Sequence, residues 1–278
     1  MPGSCAAFRG AEINRKLMQD SQSTVLTERA GKVLIVTINR PQARNAVDSA
    51  TAAALGEVFQ KFDRDETLHA AILAGAGGTF CAGADLREIA EGRRPPVDPA
   101  GTGPMGPTWL LLSKPVIAAI EGHAVAGGLE LALWCDLRVA ARDAVFGVFN
   151  RRFGVPLIDL GTVRLPRIIG HGRAMDLILT GRSVAAQEAR EIGLVNRVVE
   201  TGKALETALE IARTLADLPQ QGLRADRFSA CEQWSLSWDD ARRNELRRGL
   251  KTLESGEASA GARRFAAGSG RHGRSGDK

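Results

Sequence analysis

Two glycine-rich segments of this 278-residue chain have the spacing of a strand running into a helix. The first is Gly78-Thr79-Phe80-Cys81-Ala82-Gly83-Ala84-Asp85-Leu86; the second is Glu121-Gly122-His123-Ala124-Val125-Ala126-Gly127-Gly128-Leu129-Glu130. The start of a helix presents unpaired backbone N–H groups and the positive end of the helix dipole, so each junction suits developing negative charge. Small residues there let a ligand approach the backbone closely. A glycine turn before a helix is common. Two of them, each behind an apolar strand, can converge two donors on one oxygen. Cys81 lies inside the first junction, but no histidine near it in sequence could activate it, and it reads as a small buried residue.

These junctions need strands behind them and helices after them. TVLTE (24–28) and KVLIVTIN (32–39) are β-branched or alternating and are separated by Ala-Gly, which predicts a β-hairpin. Asp48 and Ser49 supply a cap before TAAALGEVFQKFDRD, whose apolar residues recur at helical spacing. HAAILAGAG (69–77) and PVIAAIEG (115–122) read as buried strands, and ADLREIAEG and AGGLELALW as the helices that follow. LRVAA (137–141) and AVFGV (144–148) are short strands. Residues 92–107 are rich in proline and glycine and read as a mobile surface loop. From about residue 161 the pattern is helical, ending in helices expected over 201–217 and 236–254. A strand–strand–helix unit recurs, predicting an α/β fold of stacked β–β–α turns followed by a separate helical segment. The GxGxxG that would follow the first strand of a dinucleotide-binding sheet is absent.

Composition narrows the class. Apolar residues are 44% and charged residues 25%, ordinary for a soluble globular chain. No run approaches the roughly 20 apolar residues of a membrane span, and no compact apolar block opens the chain as a signal peptide would. Residues 1–22 read as a polar, flexible extension. Cys5, Cys81, Cys135 and Cys231 form no CxxC pair, which argues against zinc or disulfides and for a reducing, cytoplasmic compartment. The net charge of +5 is spread among acids rather than gathered for nucleic acid. Arg242, Arg243, Arg247 and Arg248 read as a solvated helix face. Arg263, Arg264, Arg271 and Arg274 could serve an anion with several phosphates.

Four segments, INRPQARNAV (38–47), FCAGADLRE (80–88), PVIAAIEGHAVAGGLELALWCDLRVA (115–140) and LTGRSVAAQEAREIGLVNRVV (179–199), resemble the enoyl-CoA hydratase/isomerase (crotonase) superfamily, in its order and spacing. The resemblance runs over roughly residues 23–270. It implies a spiral of β–β–α turns over 23–209 and a C-terminal helical region, 210–278, that assembles trimers, often paired into hexamers. It implies an acyl-CoA thioester as substrate, with no cofactor beyond that coenzyme A, no metal, no nucleic acid and no membrane partner. The thioester oxygen would accept hydrogen bonds from the backbone of Ala82 and Gly127. Gly83, Ala84, Asp85, Leu86 and Gly128 would complete the thioester-binding junctions.

Family hydratases use two glutamates to activate water. The first matches Glu130, where the helix dipole favours the carboxylate and burial raises its pKa, as a general base requires; a capping-box role is the plainer alternative. The second falls on Asn150, which cannot move a proton near neutral pH but can orient water. Asp159 is the nearest replacement carboxylate, or else a helix cap. Arg44 matches a position that often meets the coenzyme A phosphates, with Arg264 and Arg271 as weaker candidates. The leading expectation is hydration of a 2-enoyl-CoA. Double-bond isomerisation or thioester hydrolysis through the same enolate, or a non-catalytic RNA- or partner-binding role, are the alternatives.

Overall fold

A computed structural model describes residues 23–268. The 1–22 extension with Cys5, and Arg271 and Arg274, lie outside the described residues. In chain order the strands are β1 (Val25–Ala30), β2 (Val33–Ile38), β3 (Ala70–Gly75), β4 (Val116–Ile120), β5 (His123–Val125), β6 (Leu137–Ala141), β7 (Val145–Gly147), β8 (Val184–Ala185) and β9 (Arg197–Val199). The hairpin forms as expected: β1 and β2 pair antiparallel, Ala30 opposite Val33, around Gly31 at φ 66°. From β2 onward a larger sheet runs parallel in the order β2-β3-β4-β6-β9. Strands β3 and β4 are covered on both faces, so their sequences are continuous apolar runs rather than alternations.

A second, three-stranded sheet has the order β5-β7-β8. The chain steps between the two sheets in each turn of the spiral. β4 enters the large sheet, β5 the small one, and a helix follows; β6 and β7 repeat the step. The Phe80–Cys81 stretch extends the small sheet through a bridge between Cys81 and Ala124, and Val47 bridges Ala84. The two glycine-rich junctions are therefore neighbours.

The helices are α1 (Ser49–Arg64), α2 (Leu86–Ala90), α3 (Gly127–Trp134), α4 (Gly161–Ile169), α5 (His171–Thr180), α6 (Ala186–Glu191), α7 (Ala204–Asp217), α8 (Gln220–Glu232), α9 (Trp238–Glu254) and α10 (Glu257–Ala266). Asp48 caps α1 by accepting from the Thr51 N–H at 2.8 Å. Leu55, Phe59 and Phe62 of α1 pack with Phe80, Leu129 and Phe146 in one core, where the Phe59 and Trp134 rings meet edge-on at 4.8 Å. Arg138 holds the far end of α3, donating to the Cys135 carbonyl at 2.7 Å and the Leu194 carbonyl at 2.7 Å.

A second core lies on the other face of the large sheet. Ala204, Ala208, Ala212 and Ala216 form a small-residue stripe along α7 that packs on Val33, Ile35, Ile72, Ile117 and Val139. The boundary expected at 209/210 falls inside this helix, so its whole length goes with the sheet. The helices that stand apart begin at α8, and none of α8, α9 and α10 buries a residue. Helices α8 and α10 were not legible in sequence, since glycines at 222 and 261 interrupt them and no apolar stripe marks a core. Arg227 ties α8 to the spiral through an ion pair with Asp136 at 2.8 Å.

The 92–107 segment also departs from its reading as a surface loop. Its first part is exposed, but Met105, Gly106, Pro107 and Thr108 are buried. The reason is polar as well as apolar: this stretch supplies donors to a buried carboxylate.

Candidate active site

The first candidate donor lies two residues along from where the resemblance placed it. Ala82 was expected to offer its N–H, but that group donates to the Arg44 carbonyl at 3.1 Å. Two residues on, the Val47 N–H donates to Gly83 O at 2.8 Å and the Asp85 N–H to Val47 O at 3.0 Å. In an extended pairing those bonds turn the N–H of the residue between them, Ala84, away from Val47. Ala84 lines the cavity, and its N–H has no acceptor among the described residues. Ala84 therefore replaces Ala82 as the candidate donor. Spacing alone could not separate two alanines two positions apart; the Arg44 carbonyl does.

The second candidate donor is Gly127. Gly127 is the first residue of α3, so its N–H has no partner within the helix, and it lines the same cavity. Ala126 before it sits at φ 53°, ψ −127°, a backbone conformation that residues with a Cβ rarely adopt. Its N–H is held by Gly147 O at 2.9 Å, which helps fix the strained turn into the helix. Gly83 and Gly128 do not line the cavity but permit the close approach. A methyl built on Gly83 would lie 3.0 Å from the Gly127 nitrogen, and one on Gly128 2.1 Å from the Cys81 carbonyl oxygen.

Glu130, one turn into α3, is almost fully buried. Its Oε1 accepts from the Asp159 N–H at 2.9 Å and the Gly161 N–H at 2.8 Å. Leu160, left-handed at φ 67°, makes the turn that aims both N–H groups at one oxygen. Burial, and then the charge of Asp159, push the Glu130 carboxyl up to about 8 against the pull of those two bonds.

Asp159 is buried too. Its Oδ1 accepts from the Met105 N–H at 2.9 Å and from the Thr108 hydroxyl. Burial raises its pKa, while those bonds and the Arg94 and Arg164 charges pull the other way. It caps nothing: α4 begins at Gly161, after Leu160, without a side-chain cap. Arg164 fastens the corner, donating to Asp159 O at 3.0 Å and Thr108 O at 2.7 Å. Met105, Thr108 and Arg164 carried no signal in sequence, because each makes a contact across more than fifty positions.

Asn150 lines the same cavity and is buried. Its Nδ2 donates to Val155 O at 2.7 Å, which fixes the amide's orientation and leaves a buried Oδ1 with no partner among the described residues. The remaining expected residues divide. Leu86 lines the cavity. Asp85 does not: its carboxylate caps α2 through Arg87 N–H at 3.1 Å and pairs with Arg40 at 3.0 Å, and Arg40 also binds Asp48 at 2.9 Å. Arg44 and Arg264 are exposed and outside the cavity. Burial pushes the Cys81 thiol up to about 12, in keeping with a structural residue. Among the described residues no group of three His, Cys, Asp or Glu could hold a metal ion, and no helix is long and apolar enough to cross a membrane.

The result is a cavity of about 560 Å³ with two unpaired backbone N–H groups on one wall and two coupled carboxyl groups beside them. Such an arrangement can stabilise an enolate oxygen and move a proton to or from the carbon next to it. The chain matches the enoyl-CoA hydratase/isomerase family over residues 28–266. It is 38% identical to an enoyl-CoA hydratase, EchA19, of Mycobacterium tuberculosis, over 89% of this chain and 95% of that protein. It is 43% identical to a carnitinyl-CoA dehydratase of Salmonella arizonae, over 70% of this chain and 75% of that protein. The crystal structure of enoyl-CoA hydratase EchA1 from Mycobacterium marinum matches with a TM-score of 0.83 at 38% identity, covering 88% of this chain and 96% of that one.

Proposed function

The chain belongs to the enoyl-CoA hydratase/isomerase family, and we propose that it is a hydro-lyase that adds water across the 2,3 double bond of a 2-enoyl-CoA thioester. The observation that carries this reading is the meeting of the Ala84 and Gly127 N–H groups with the Glu130–Asp159 pair in one cavity. The thioester oxygen accepts both N–H groups, and they hold the negative charge that arises when oxygen adds to C3. Each such donor is worth about 3 kcal/mol in the transition state.

Burial raises both carboxyl groups, and the charge of Asp159 adds to the rise at Glu130, so the site disfavours carrying both charges at once. In the productive form Glu130 is ionised and takes a proton from the attacking water, while Asp159 carries the proton given to C2. Oxygen and hydrogen of the water thus end on C3 and C2, with one proton passed through the pair. Asn150 accepts a hydrogen bond from the water through its unpartnered Oδ1 and transfers nothing. Asp159→Asn is expected to lower kcat/KM by about a hundredfold, within the range of a general acid. Turnover of a panel of 2-enoyl-CoAs, read by mass spectrometry as a gain of one water, checks it; an unchanged rate would leave Asp159 a structural group only.

Arg44 is exposed and its carbonyl accepts from the Ala82 N–H next to the cavity, which supports its assignment to the coenzyme A phosphates. Buried free thiols at Cys81 and Cys135 suit a cytoplasmic setting. Helices α9 and α10 leave Trp238, Leu246, Leu253 and Phe265 largely exposed, so we expect them to pack against other copies in a trimer or a pair of trimers. Sedimentation at micromolar concentration should give three or six chain masses. A single chain mass would refute the assembly.

A further inference from the structure

Four of the residues that continue the cavity beyond the carboxyl pair have one character. Asn150 and Asp159 stand on one stretch of chain, and the cavity residues between them include Phe153, Val155, Pro156 and Ile158. Ile89 of α2 and Val97 of the proline-rich segment line the same cavity. The thioester oxygen is fixed at Ala84 and Gly127, and C2 and C3 lie at the carboxyl groups. Carbons beyond C3 must then run along this stretch.

Size points the same way. Four carbons take up roughly the space of four waters, about 120 Å³. The cavity, which also admits the pantetheine end, measures about 560 Å³. It is not closed at the far side. Phe153 is 67% exposed and Ile158 45%, and Leu86, Ile89 and Val97 are exposed around them. An apolar ring of this kind is costly to leave in water and is continuous with the reaction site.

Resting on the hydratase reading, we infer that the substrate carries a long apolar acyl chain, well beyond four carbons, whose distal part leaves through this ring. The ring is thus the acyl-recognition site. Short enoyl groups reach the N–H pair and the carboxyl groups but leave the ring uncovered, so they bind weakly.

Two measurements test the inference and keep it apart from the hydratase reading. Calorimetric titration with butanoyl-CoA and dodecanoyl-CoA, which lack the double bond and cannot be hydrated, reads acyl recognition alone. Dodecanoyl-CoA is expected to bind at least tenfold more tightly. In the double variant Phe153→Ser, Ile158→Ser, both sites exposed and so tolerant of substitution, that preference should fall at least fivefold. Equal affinities for the two thioesters in the wild type overturn the inference. So does a preference that survives the double variant, or a variant whose main change is a smaller solution mass, which would assign the ring to contacts between copies. Hydration of 2-butenoyl-CoA and 2-dodecenoyl-CoA, followed in parallel, reports on the reaction. If neither is hydrated the hydratase reading fails, while the calorimetry still decides the acyl class.

Discussion

Glu130→Gln is expected to lower turnover on a 2-enoyl-CoA by at least about a hundredfold, the low end of what a positioned proton-transfer group contributes. Thioester affinity should change by less than about threefold. The amide keeps the shape, and its carbonyl oxygen can still accept from the Asp159 and Gly161 N–H groups that hold Oε1. What it loses is the ability to take a proton, so binding and chemistry separate. A variant as fast as the wild type would remove Glu130 from the mechanism.

The same substitution carries a pH signature. The Glu130 carboxyl is pushed up to about 8 from an ordinary value of 4.5, chiefly by burial and then by Asp159. The folded chain therefore binds this proton more tightly than the unfolded chain. Stability falls as pH rises through the window between 4.5 and about 8, by at most about 1.4 kcal/mol per pH unit. Glutamine does not titrate. Denaturant midpoints should favour the variant progressively as pH approaches 8 and converge with the wild type in acid. Wild-type kcat/KM should fall above about pH 8, where the pair's last proton leaves, and again in acid, where both carboxyl groups are neutral.

What could be read in advance followed from local rules. Parallel strands covered on both faces are apolar runs, so β3 and β4 stood out, and the junctions behind α2 and α3 were visible as small residues after those runs. Glu130 was visible because it matches the first glutamate of the family hydratases, in the first turn of α3. Ala84 was not, because Ala82 is excluded only by the Arg44 carbonyl, from a segment 38 residues away in the chain. The role of Asp85 depended on Arg40, 45 positions earlier, and that of the proline-rich segment on Asp159, which meets Thr108 across 51 positions. Pairings of that span are set by the spiral, and neither propensity nor spacing records them. Helices α8 and α10 were missed for the opposite reason. They bury nothing within the chain, and Gly222 and Gly261 interrupt them, which weakens the local helix signal.

Gly83→Ala tests the convergence of the two donors. Gly83 sits at φ 102°, where any residue with a Cβ is strained, and its methyl would lie 2.9 Å from the Ala126 Cβ and 3.0 Å from the Gly127 nitrogen. Neither neighbour is the free end of a flexible side chain, so backbone must move. The movement separates the N–H of Ala84 from that of Gly127, the two groups proposed to share one oxygen. Loss of a single such donor costs about 10²–10³ in kcat, and kcat should fall by at least about a hundredfold. A change in stability of about 1–3 kcal/mol from backbone strain is expected as well. Gly78→Ala separates the two effects. Gly78 also has a positive φ, 73°, but a methyl there meets nothing within 4 Å. It should lose comparable stability and keep kcat within about twofold, because no donor moves. Both variants are compared at a temperature well below their unfolding transitions, with the folded fraction checked by circular dichroism. A folded Gly83→Ala enzyme with the turnover of Gly78→Ala would show that Ala84 and Gly127 do not share the oxygen, and the enolate mechanism built on them would have to be abandoned.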